Sequence, residues 1–66
     1  MDVAALADLL HETAEHHGPY EESHPPHDWW NWYAPYFNAR LQGSTPEQAA
    51  DAADRYMEEL RTVVPT

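Results

Sequence analysis

DWWNWYAPYFNARLQGSTPEQ, residues 28–48, holds two helix starts, one helix end and most of the chain's large rings. Asp28 is suited to cap a helix over 29–42, and Gly43 is suited to close it, because glycine accepts the left-handed backbone that ends many helices. Thr45-Pro46-Glu47-Gln48 opens the next one: Thr45 caps, Pro46 takes the first helical position and Gln48 completes a capping box. Between these signals six of the eight aromatic residues fall within nine positions, Trp29, Trp30, Trp32, Tyr33, Tyr36 and Phe37. At roughly 100° per residue they cannot share one face. Trp29, Tyr33, Tyr36 and Arg40 form one stripe, Trp30, Phe37 and Leu41 a second, and Trp32 points elsewhere. Pro35 lies inside the run and removes one backbone hydrogen bond, which predicts a kink or a split there.

Downstream, the third helix is expected over 46–63, with Ala49, Ala53, Tyr56, Leu60 and Val63 along one seam and Pro65 as its stop. The small alanines at 49, 52 and 53 let a neighbour come close, so this helix is expected to lie against the aromatic one. Upstream, Val3, Leu6, Leu10 and Thr13, widened by Leu9, predict a first helix over 2–17 capped by Asp2. Gly18-Pro19 is expected to end it. GPYEESHPPH, residues 18–27, then reads as a Pro-rich loop anchored by Tyr20. The expectation is an all-α fold: residues 1–66 as one three-helix bundle, with helices one and three packed around the second.

A chain of 66 residues is small enough that its core alone gives marginal stability, and it has no cysteine for disulfides or thiolate metal sites. Oligomerisation, a partner or a metal held by His and carboxylates are the remaining supports. The formal charge is −9, with twelve acidic residues, three arginines and no lysine. Such a surface repels phosphate, which speaks against nucleic acid and anionic membranes and favours a basic partner. No apolar run reaches the ~20 residues of a membrane helix, and Met1-Asp2 lacks a basic leader, so a cytoplasmic chain is expected.

The densest polar segment runs from His11 to Asp28. Its imidazoles and carboxylates suit zinc or another first-row divalent ion, with Glu12, His16, His17, His24 and His27 as candidate ligands. Neither the Glu12/His16 spacing nor His24-Pro-Pro-His27 is a recognised zinc signature. Macrodipole stabilisation by histidines at a helix end is the plainer account. Protonation of the five histidines offers a pH response as well. Catalytic ingredients are thin: Ser44 and Thr45 are explained by capping, and there is no phosphate loop or nucleophile motif. The expectation is therefore a chain without catalysis and without a cofactor, divalent metal being the alternative. The rings outnumber the cover so short a chain provides. Trp30, Tyr33 and Phe37 read as core, while Trp29, Trp32, Tyr33 and Tyr36 are the candidate interface, Tyr33 being counted in both. Self-association or docking on a protein partner ranks above stacking of a planar ligand.

The motifs His17 to Glu21, Asp28 to Tyr33 and Gly43 to Ala49, taken in order, give the chain a family likeness. Over roughly residues 5–64 it resembles a short helical segment at the C-terminal end of some actinobacterial glyoxalase/bleomycin-resistance-like proteins. The resemblance implies a compact helical unit used beside another domain or alone. The βαβββ modules that hold metal and ligand in those proteins have no counterpart here, so it carries over no catalytic residue. An accessory role beside an enzyme is the corresponding alternative.

Overall fold

The computed structural model describes residues 2–24 and 26–62, with the side chains of 61 and 62 excepted. They form three helices, α1 (Val3–Ser23), α2 (Trp29–Leu41) and α3 (Pro46–Thr62), and no strand occurs among the described residues. The all-α three-helix architecture is as the sequence indicates. Val63 and Pro65, expected at the end of the third helix, lie outside the described residues.

Local chemistry accounts for most of the boundaries. The Asp2 carboxylate accepts from the Ala5 amide at 2.7 Å and caps α1. The Thr45 hydroxyl accepts from the Gln48 amide at 3.2 Å, and the Gln48 side chain accepts from the Thr45 amide at 3.0 Å. That reciprocal pair is the capping box. Gly43 has φ +98°, the left-handed position that glycine takes without strain. Asp28 occupies the N-cap position of α2 but makes no side-chain cap; its carbonyl instead accepts from the Asn31 amide at 3.1 Å.

Two expectations about breaks are corrected. Helix α1 does not stop at Gly18-Pro19 but runs through both to Ser23, so the loop is shorter than 18–27. Pro19 removes one backbone donor, yet continuing the helix places Tyr20, 8% exposed, in the core. The Ser23 hydroxyl lies 3.1 Å from the Pro19 carbonyl and 3.3 Å from that of Tyr20, close enough to satisfy the otherwise open end. Likewise α2 is not split at Pro35 but continuous through it.

Helix α2 packs chiefly along α3, α1 lies mainly against α2, and α1 and α3 touch least. The buried stripe of α2 is Trp32, Tyr36 and Ala39, spaced four and three apart. Ala49, Ala53 and Met57 face it from α3. The two alanines are fully buried, which is the close approach their size permits, whereas Tyr56 and Leu60 of the expected seam are exposed. On α1 the buried set is Leu9, Thr13, His17 and Tyr20, so Leu9 and Thr13 of the expected stripe are buried whereas Val3, Leu6 and Leu10 are exposed. All of residues 2–8 are exposed, so the first two turns of α1 project beyond the core. The overall extents, 42 × 23 × 19 Å, are those of an elongated body.

Candidate functional site

Trp32 and Tyr36, expected at an interface, belong to the core: they are 1% and 0% exposed. Each also satisfies its polar tip, as buried aromatic donors must. Trp32 Nε1 donates to Asp54 on α3 at 3.0 Å, and the Tyr36 hydroxyl donates to Glu12 on α1 at 2.6 Å. Their rings stack at 5.3 Å. Arg40 completes the Glu12 site, its Nε donating to Oε2 at 2.8 Å and its Nη2 to Oε1 at 3.3 Å, while Nη1 reaches the Ser44 carbonyl at 2.8 Å. The Arg40 hydrogen bond, followed by that from Tyr36, lowers the Glu12 pKa below its ordinary value. Burial, and then the adjoining Glu12 carboxylate, push the Tyr36 phenol well above the usual range. Glu12 thereby joins α1 to α2 through Tyr36 and Arg40.

The displaced rings form the surface. Trp29 and Trp30 are 54% and 52% exposed, which overturns the core assignment of Trp30. Tyr33 and Phe37 are half-buried and pack on the core edge. Together with Leu10 and Ala34 these rings line one shallow depression that contains no Asp, Glu, Lys, Arg or His. Trp29 meets Trp30 at 5.5 Å and Tyr33 at 5.0 Å, both edge to face, so the rings brace one another. Leu10 belongs to the same helical stripe as Leu6 and Val3, both exposed. Leu10, read as part of the buried face of α1, thus lines the aromatic patch instead.

The five candidate metal ligands divide among three locations. Glu12 is taken up as described. His24 stacks on Tyr20 at 3.9 Å, with Nδ1 3.0 Å from the Tyr20 carbonyl, and His16 tilts against Tyr36 at 5.7 Å. Only His17 and His27 come together, Nε2 to Nε2 at 2.7 Å. Among the described residues no three His, Asp or Glu side chains converge on a common point suited to a metal ion. Burial first, and then the neighbouring His27, lower the His17 pKa, against an opposing effect of Glu21. The Glu12–Tyr36–Arg40 knot and the His17–His27 pair were absent from the sequence reading. For the knot a signal existed: Tyr36 and Arg40 are four apart on a helix and both suit a carboxylate.

No family model matches the chain, and neither the curated proteins nor the solved structures contain a match. No helix among the described residues is long and apolar enough to cross a membrane.

Proposed function

We propose that this chain is a small helical interaction module that associates with a second copy of itself through the apolar face of α1 and α2. One observation carries the reading: Trp29 and Trp30 are both about half exposed, on a surface continuous with Leu10 and free of ionisable groups other than the Tyr33 phenol. An exposed apolar patch of this kind marks an interaction site, and aromatic anchors supply most of the energy in such interfaces. Two such faces close on one another without burying a charge, which a chain of net charge −9 otherwise finds hard to arrange. Closure also supplies the buried area that so short a chain lacks. The face is Leu10, Trp29, Trp30, Tyr33, Ala34 and Phe37, without Trp32 and Tyr36.

Sedimentation across micromolar concentrations tests this. A monomer–dimer equilibrium that shifts to monomer in Trp30→Ser, with helicity unchanged, is the expected result. A strictly monomeric parent chain would overturn self-association, and binding by such a monomer to an enzyme subunit would establish the accessory role instead.

A further inference from the structure

We infer that the projecting tip of α1 in one copy of the chain seats in the aromatic depression of a second copy, and reciprocally, with Val3 and Leu6 entering between the rings. The inference rests on the self-association proposed above and names the segment that fills the depression. Residues 3–8 are helical yet exposed throughout, and Val3 is 84% exposed. The Asp2 carboxylate, accepting from the Ala5 amide at 2.7 Å, caps these turns. Val3, Leu6 and Leu10 stand three and four apart, so they share one face. Leu6 is also three residues before the buried Leu9, so the inward face of α1 runs on past the point where the core ends. An i, i+3, i+7 series of aliphatic side chains is the pattern with which a helix enters an apolar groove. No charge intrudes on it. Asp8 is roughly 200° round the helix from Leu6, and it lines a separate groove with Leu9, Glu12 and Arg40.

The depression suits this occupant in length, area and charge. Val3 to Leu10 and Trp30 to Phe37 each span about 10.5 Å of helix, so stripe and depression match end to end. Trp29 and Trp30 are each about half exposed and offer on the order of 125 Å² apiece, from rings that bury up to ~250 Å². The half-buried Tyr33 and Phe37 offer less. Two depressions closing on each other therefore fall well short of the ~800 Å² per partner of a stable interface. Two further turns of α1 from each copy supply much of the difference. The depression has no Asp, Glu, Lys, Arg or His in its lining, so it favours an uncharged stripe over a charged segment. Leu10 both ends the stripe and lines the depression. A two-fold axis near Leu10 carries each tip over the rings of the other copy, and both contacts form together.

Sedimentation equilibrium of the full chain and of Leu6→Gln and Ala4→Gln, joined to isotope-filtered NOE spectra of mixed labelled and unlabelled chains, tests the arrangement. Expected are intermolecular NOEs from the Val3 and Leu6 methyl groups to the indole protons of Trp29 and Trp30. Leu6→Gln is expected to weaken the dimer at least roughly tenfold, because a symmetric pair carries the substitution twice. Ala4→Gln, on another face of the same exposed turns, leaves association unchanged. Both positions are exposed and glutamine is a good helix former, so the variants keep the monomer fold, which circular dichroism reads. A dimer whose intermolecular NOEs run only from ring to ring, or one that forms equally well in Leu6→Gln, would overturn the seating of the tip and leave self-association standing. A parent chain that stays monomeric would overturn both, leaving the depression to a different protein.

Discussion

Trp30 and Trp32 are two positions apart, and their exposures of 52% and 1% assign them to opposite tasks. Truncating a buried tryptophan leaves a cavity and costs about 3–5 kcal/mol. Trp32→Ala also removes the hydrogen bond that its indole donates to Asp54 at 3.0 Å. Urea unfolding followed by circular dichroism is therefore expected to show a large loss for Trp32→Ala and a loss below about 1 kcal/mol for Trp30→Ala, measured on the dilute monomer. Equal losses would contradict the burial pattern. Glu12 contributes to the acid sensitivity of the fold. Its pKa is held below the ordinary 4.5, chiefly by the Arg40 hydrogen bond and then by Tyr36. In the window between the two values the folded chain binds fewer protons than the unfolded one. The resulting stabilisation is complete above pH 4.5 and is lost as pH falls through the folded-state value. Glu12→Gln is expected to flatten that acid dependence. It should also lower stability at neutral pH by about 1–3 kcal/mol, because one amide oxygen replaces two carboxylate acceptors for the buried Tyr36 hydroxyl and Arg40.

At the level of the helices, the two glycines separate a true terminus from a false one. Gly18 lies inside α1, and a Cβ built there meets nothing within 4 Å. Gly18→Ala is expected to raise stability by about 0.5–1 kcal/mol, the usual gain for replacing glycine in a helix. Gly43 has the same open space but φ +98°, so Gly43→Ala is expected to cost about 1–2 kcal/mol. Thermal melts of the two variants moving in the same direction would contradict the α1 boundary. Local rules made the Thr45–Gln48 start, the Asp2 cap and the Gly43 end legible, because each involves residues within three positions. The buried face of α1 was legible only in part. Leu9 and Thr13 of the expected stripe are buried, but its more apolar members Val3, Leu6 and Leu10 are exposed, and His17 and Tyr20 are buried instead. The polar members of the buried set cost little there: the Thr13 hydroxyl donates to the Leu9 carbonyl at 2.6 Å, and His17 pairs with His27. What turns the helix is Glu12 meeting Tyr36 and Arg40, 24 and 28 residues away, a contact no short window contains. The same limit explains the exchange of Trp30 for Trp32. Spacing grouped the rings by angle, but which group faces inward depends on where Asp54 and the alanines of α3 fall.

Across the whole molecule, a projecting α1 tip, an exposed Val3–Leu6–Leu10 stripe and a neutral ring surface follow from one fact. The core is small, and α1 turns its more polar stripe toward it. Unpaired apolar area of that kind is stabilised by covering it, while the charge of −9 opposes bringing two copies together. These terms respond oppositely to salt: apolar burial is little affected, whereas like-charge repulsion is screened once the Debye length falls to ~10 Å near 0.1 M ionic strength. Self-association is therefore expected to tighten as sodium chloride rises from about 0.01 to 0.15 M, the range over which the screening length falls from ~30 Å to ~8 Å. A basic partner docked on the same face would show the reverse, since its attraction is screened too. Sedimentation equilibrium at the two salt levels reads the sign directly. Trp30→Ala is expected to weaken the dimer by roughly thirtyfold, the ~2 kcal/mol of an aromatic anchor, without altering the salt dependence. A dimer that loosens with added salt would show that ionic contacts, not the exposed indoles, hold the two copies together.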